Sequence, residues 1–242
     1  MVHLNFVSVL LALVAGLSDW VAGWLTFRCA SRLGVGREPR YLIAFAAGVL
    51  LAVVFFEVLP EVDLTAHYGF LALGFFTFYV LEKGMMLHAC GEEECEVHAI
   101  GPVAVVGMAL DNVLDGVGIA TGFLLDPLLG AMITLAVVLH EIPQGMASAI
   151  IMEGAGWPRR RIYATLGLAG ALYPVGALLA GFLPEEVLPA ALAFIAGDFL
   201  YIGAGDLLPE AHRRFNVWVI LAVLLGVGLV GLLSLLLPGG HA

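Results

Sequence analysis

Two short segments hold most of the chemistry this chain can do: "ALDNVLDG" (109–116) and "LHEIPQG" (139–145). Residues three and four apart share a helix face. Asp111 and Asp115 therefore lie on one stripe, with Asn112 on the stripe beside it. His140 and Gln144 repeat that spacing, with Glu141 alongside. Together the segments present three carboxylates, one imidazole and two amides. Clustered carboxylates without a counter-charge repel one another, and a divalent cation relieves the repulsion. This donor set suits Zn, Mn, Fe or Co. A hydrogen-bonded polar seam between helices is the structural alternative. It explains a lone aspartate better than six polar groups at helical spacing.

The elements that must position these groups are apolar. Of 242 residues, 62% are hydrophobic and 12% charged, against about 25% charged in soluble domains. Eight stretches are long enough to cross a bilayer as helices, roughly 5–27, 41–59, 68–88, 100–125, 128–151, 162–183, 187–208 and 216–237. The first lacks a basic leader and a small-residue cleavage site and is expected to be a span. The expectation is an all-α membrane protein, one transmembrane domain over 1–242, with a variable loop at about 89–99. Asp111–Asp115 fall in the fourth span and His140–Gln144 in the fifth. Proline at 143 removes an amide and clashes with the carbonyl of residue 139, predicting a kink. The freed carbonyl needs a polar neighbour inside the membrane. Gly116, Gly118, Gly122 and Gly145 allow close helix approach.

All ten Lys and Arg residues fall at the ends of helices 1/2, 3/4, 5/6 or 7/8, and the opposite side carries Glu61, Asp63, Asp126, Glu185 and Glu186. By the positive-inside rule the basic loops are cytoplasmic and both termini outside. The charge of -10 sits on the outer loops and in "HACGEEECEVH", which disfavours nucleic acid as a partner. Cys29, Cys90 and Cys95 would face a reducing compartment, so disulfides are not expected. Cys90 and Cys95, among His88, Glu92, Glu93, Glu94, Glu96 and His98, could hold a soft metal or form a plain solvated loop; their spacing is not that of a structural zinc knuckle.

"FAAGVLLAVVFFEVLPE" (45–61) and "FIAGDFLYIGAGDLLPE" (194–210) share F-x-A-G, then eight residues, an acid, and a Leu-Pro-Glu ending, at an offset of 149. The acids are Glu57 and Asp206. With eight spans these two helices run oppositely, so helices 1–3 and 6–8 form an inverted repeat around helices 4 and 5. Such 3+2+3 repeats are a transporter device that puts the substrate site at the repeat interface.

Two other classes compete. His140-Glu141 matches the start of the helical zinc-protease motif, but the place of the second imidazole holds Gln144. A cation channel needs a continuous polar file, whereas here the polar groups form one cluster between apolar turns.

"DNVLDG" and "HEIPQG" resemble the helix 4 and helix 5 signatures of the ZIP (Zrt/Irt-like) metal transporters, and "FFEVLPE" and "FLYIGAGDLLPE" are similar to that family's helix 2 and helix 7 endings. The resemblance covers nearly the whole chain. It implies a transporter and not an enzyme. The substrate would be a divalent cation, Zn²⁺ foremost and Fe²⁺, Mn²⁺, Co²⁺ or Cd²⁺ as other candidates, moved toward the cytoplasm. It implies a homodimer in the lipid of the cytoplasmic (inner) membrane, with ligands at Asp111, Asn112, Asp115, His140, Glu141 and Gln144. This chain departs from the family pattern at four places. Asp111 replaces a usual His, and Gln144 a usual His or Glu. Tyr173 stands where many bacterial members carry Glu, and Glu57 where His is frequent. Glu57, Asp206 and Tyr173 are candidate pathway residues. Asp19 and Asp198 are pathway residues or polar helix contacts. Three acids at the centre carry -3 if ionised, so the expectation is one strongly held ion.

Overall fold

The computed structural model describes residues 6–29, 40–90, 97–213 and 216–236. Segment 91–96, with Cys95 and four of the glutamates discussed above, lies outside them, as do Arg32, Arg37 and Arg214. Among the described residues the chain is entirely helical, with eight helices long and apolar enough to cross a membrane. We number them α1 (Phe6–Cys29), α2 (Arg40–Glu61), α3 (Leu64–Cys90), α4 (Val97–Leu125), α5 (Pro127–Gly154), α6 (Arg159–Ala180), α7 (Glu185–Ala211) and α8 (Val217–Leu236). These agree with the eight stretches read from the sequence.

Local sequence accounts for where the helices start, stop and bend. One residue, Asp126, separates α4 from α5. Its Oδ1 accepts hydrogen bonds from the amides of Leu128 (2.8 Å) and Leu129 (2.9 Å), and Pro127 takes the first helical position, where a missing amide costs nothing. Helix α5 closes at Gly156, whose φ of 80° suits glycine, while the Trp157 amide donates to the Met152 carbonyl at 3.0 Å. Asp63 opens α3: its carboxylate accepts from the amide and hydroxyl of Thr65 (2.9 and 2.6 Å). Those bonds hold the exposed carboxyl below its usual range.

Prolines leave three further marks. Pro174 cannot donate to the carbonyl of Gly170, and α6 is interrupted between Gly170 and Leu172. Pro60 and Pro209 similarly orphan the carbonyls of Phe56 and Gly205. These carbonyls lie in π-helical turns, Val54–Val58 in α2 and Tyr201–Leu207 in α7. Across Pro143, by contrast, α5 stays helical throughout.

The repeat seen in α2 and α7 extends to the packing. The most extensive helix pairs are α1 on α5, α6 on α4, α2 on α8, α7 on α3, and α4 on α5. Burial follows the same pairing. In the most apolar stretch of each helix it is 39% for both α1 and α6 and 61% for both α2 and α7, but only 11% and 22% for α3 and α8. Backbone contacts agree residue by residue. A Cβ at Gly48 would strike the carbonyl of Val223, and one at Gly197, 149 residues on, the carbonyl of Leu71. Gly226 meets the carbonyl of Phe45, and Gly74 that of Phe194. Small residues permit such approaches in a membrane, where van der Waals contact has to replace the hydrophobic drive. Helices α3 and α8 are peripheral, with outward side chains such as Phe76 and Leu225. The inner helices α2, α4, α5 and α7 enclose the polar centre.

Candidate metal centre

The centre follows from the α4–α5 hairpin. Asp111 and Glu141 both lie fifteen residues from Asp126. At 1.5 Å per residue, both sit about 22 Å from the turn. Gly122 and Gly130, each four residues from Asp126, bring the helices close; a Cβ at Gly122 would lie 2.9 Å from the Cα of Gly130. The hairpin therefore sets "DNVLD" opposite "HEIPQ" at the same depth.

Four of the six expected ligands come together. One ligand atom each from Asp111, Asp115, His140 and Glu141 all lie within 4.8 Å of one another. Asp115, His140 and Glu141 are fully buried and Asp111 nearly so. His140 is aimed by its own helix: Nδ1 faces the Ala136 carbonyl at 3.1 Å. With the Nδ1 proton donated there, Nε2 presents its lone pair to the centre. Nε2 is 3.0 Å from Glu141 Oε1 and 3.4 Å from Asp115 Oδ2. Bare lone pairs repel at that range, so a proton or a cation has to stand between them. Phe199 of α7 packs edge-on to the ring, centroids 6.1 Å apart.

Gln144 is half-buried and donates from Nε2 to Asp111 Oδ2 at 2.6 Å. Its amide thus holds one acid of the cluster. Asn112 is fully buried, and neither its amide nitrogen nor its oxygen has a hydrogen-bond partner among the described residues. The same is true of both oxygens of Asp115 and Glu141, apart from the approach of His140, and of Asp111 Oδ1. Leaving buried polar atoms unpaired costs about 1–3 kcal/mol each, so the centre is built for something that supplies bonds. The described ion pairs of Lys and Arg lie elsewhere, at Glu82, Asp206, Glu153 and Glu210. At an effective dielectric of 20, two carboxylate charges within 4.8 Å repel by about 3 kcal/mol or more. A divalent cation removes that repulsion and fills the empty lone pairs.

Three further polar residues named from the sequence are also buried without partners. Tyr173 (α6), Asp19 (α1) and Asp198 (α7) are all fully buried, and the tyrosine hydroxyl and all four aspartate oxygens lack hydrogen-bond partners among the described residues. The sequence signal for the two aspartates was an acid inside an apolar span with no nearby basic residue.

Glu57 and Asp206 lie away from the cluster, at the π-helical turns. Glu57 accepts a hydrogen bond from the Ser234 hydroxyl of α8. Asp206 lies 3.9 Å from Lys83 Nζ. Lys83 also pairs with Glu82 at 2.5 Å, and the Tyr201 hydroxyl donates to Glu82 at 2.5 Å. Sequence reasoning missed this Glu82–Lys83–Tyr201 group; an acid-base pair ending a long apolar helix looks like ordinary interfacial charge.

Fold and centre define a multi-pass helical membrane protein with a buried, cation-poor site of carboxylates and one imidazole. Residues 87–234, more than half of the chain, match the family described as ZIP Zinc transporter. Zinc transporter ZIP13 of Pongo abelii is 31% identical over 204 residues, covering 74% of this chain and 60% of that protein. Zinc transporter ZIP13 of Danio rerio is 30% identical over 149 residues, 58% of this chain and 43% of its own length. Zinc transporter YKE4 of Saccharomyces cerevisiae is 23% identical over 234 residues, 77% of this chain and 68% of that protein. The chain thus spans less than two thirds of the two ZIP13 proteins. It belongs to the ZIP zinc transporter family.

Proposed function

We propose that this chain carries a divalent metal ion, Zn²⁺ foremost, across a membrane through the centre between α4 and α5. The observation that carries the proposal is the buried set of Asp111, Asp115, His140 and Glu141, with ligand atoms within 4.8 Å of one another. In this reading those four are the core ligands. Asn112 and Gln144 lend amide oxygens, and Glu57, Asp206 and Tyr173 line the pathway. Membership in a family of zinc transporters supports zinc as the cargo. The basic loops face the cytoplasm, transport runs inward across the cytoplasmic membrane, and two copies of the chain form the working unit. The packing of α2, α8, α7 and α3 about α4 and α5 supports alternating access by two related halves.

The metalloprotease alternative fares worse. Gln144 donates to an acid where the motif needs a second ligating imidazole.

The deciding experiment is Zn²⁺ uptake by the purified chain in liposomes, with peptide cleavage assayed in parallel. Uptake is expected in the wild type and absent in His140→Ala, with no cleavage in either. Zinc-dependent cleavage abolished by His140→Ala, without uptake, would establish the protease instead.

A further inference from the structure

The end of α1 meets the start of α6 at one face of the membrane, and four arginines gather there. Arg28 lies in the last turn of α1, and Arg159, Arg160 and Arg161 open α6. Aromatic rings hold three of them. The guanidinium carbon of Arg161 lies 3.7 Å from the centre of the Trp157 ring, that of Arg159 4.7 Å from Phe27, and that of Arg28 5.0 Å from Trp24. Trp24, Phe27 and Arg28 share a face of α1 by their spacing, so Arg159 reaches from α6 to the face that carries Arg28. Two contacts close the seam below. Phe27 meets Tyr163 edge-on, centroids 6.0 Å apart, and the Trp20 indole donates to the Tyr163 carbonyl at 3.1 Å. Deeper still, Gly16 and Gly170 bring the two backbones together, each blocking a Cβ on the other.

These cations are short of acids. Glu153 accepts from Arg159 at 3.2 Å. Among the described residues Arg28, Arg160 and Arg161 make no ion pair, whereas Lys83 and Arg213 each have one. All four arginines are exposed. A ring against a guanidinium covers its flat face and leaves its N–H edge free for an anion. No side chain caps the start of α6, and the positive end of that helix adds to the same field. Like charges gathered on so short a stretch repel, and an anion among them reverses the sign.

The surroundings say which anion. Tryptophan and tyrosine rings of this kind mark the headgroup level of a bilayer. Below them the surface is apolar and outward-facing. Leu168, two turns from Arg161 on the same stripe of α6, is 73% exposed, and Leu17 and Trp20 of α1 are exposed as well. A free phosphate ion would use the arginines alone; a phospholipid uses both surfaces.

We propose that the α1–α6 corner binds an anionic phospholipid, its headgroup phosphate on the arginines and its acyl chains along the apolar surface below. Basic pockets between helices at a membrane face take such headgroups, and guanidinium edges match phosphate oxygens in pairs. The lipid bridges the two helices that pack on α5 and α4, whatever ion the centre carries.

The test is native mass spectrometry of the purified, delipidated full chain in detergent, titrated with phosphatidylglycerol or phosphatidylcholine. The wild type should bind phosphatidylglycerol about tenfold more tightly or better, since each arginine at such a surface contributes about equally. Replacing Arg28 and Arg161 together by Gln should remove that preference. Trp157→Leu keeps every charge but removes the ring under Arg161, and should weaken phosphatidylglycerol binding several-fold. Arg213→Gln, whose arginine is paired with Glu210, should bind as wild type. Unfolding temperatures without lipid check that each variant is folded, and Trp157→Leu stands alone if the double variant is not. Equal binding of the two lipids by the wild type would overturn the proposal. So would wild-type affinity in Trp157→Leu, which would leave only diffuse charge. Displacement of the lipid by an equal concentration of inorganic phosphate would show a site for the free ion instead.

Discussion

Gln144→Glu tests whether charge governs the centre. In the wild type the Gln144 amide donates to Asp111 Oδ2 at 2.6 Å. The substitution turns this donor into a second carboxylate facing the first. At an effective dielectric of 20, two unit charges at that 2.6 Å separation repel by about 6 kcal/mol. Proton uptake by the pair and small side-chain movements limit the cost in the metal-free protein. A bound zinc ion inverts the sign, because an anionic oxygen replaces a weak amide donor. Recovering even a quarter of the repulsion, about 1.6 kcal/mol, tightens binding more than tenfold. The assay is zinc titration of the purified chain, paired with thermal unfolding with and without zinc. Gln144→Glu should unfold at lower temperature than wild type when stripped. It should gain more from zinc, since a ligand bound only by the native state stabilises as its affinity rises. Uptake should slow, because the better-neutralised ion leaves less readily. Zinc affinity equal to or weaker than wild type would refute the reasoning, showing that the centre needs the amide's hydrogen bond more than another charge.

Two further outcomes test topology and packing. Cysteines replacing the exposed Asp63 and Glu185 should react with an impermeant thiol reagent on intact cells, whereas Cys90 and Cys95 should react only after permeabilisation. Labelling of Cys90 from outside would reverse the orientation and with it the inward direction of transport. Gly116→Leu should lower thermal stability by about 1–3 kcal/mol or more and weaken zinc binding, because any Cβ there meets the Tyr173 carbonyl and the Ala177 amide nitrogen. Gly84→Leu, where a Cβ meets nothing within 4 Å, should leave both unchanged; equal behaviour of the two variants would count against the α4–α6 crossing.

What the sequence determined by itself is what depends on local spacing and on the solvent. A bilayer requires every backbone group to be satisfied within its own segment, so apolar runs of this length could only become helices, and all eight are found. Spacing of three and four put Asp111 with Asp115 and His140 with Gln144 on shared faces without any knowledge of the fold. The matched endings of α2 and α7 revealed a repeat that the glycine contacts of Gly48 and Gly197 then carried into the packing. Tertiary structure decided what those faces meet. Helical periodicity says nothing about the rotation of one helix against another, so Asp19 could equally have been a contact in a distant seam. Only the crossing at Gly16 and Gly170, and the missing side chain at Gly145, seat its carboxylate against α5. Likewise Gln144 was legible as a donor near the site, but its bond to Asp111 needed the α4–α5 hairpin to set two residues thirty-three apart in sequence at one depth. Lys83, about five turns from the start of α3, meets Asp206 only because Gly74 and Gly197 let α3 and α7 touch. Side chains declare their chemistry in the sequence; the small residues that let backbones meet decide which of those chemistries act together.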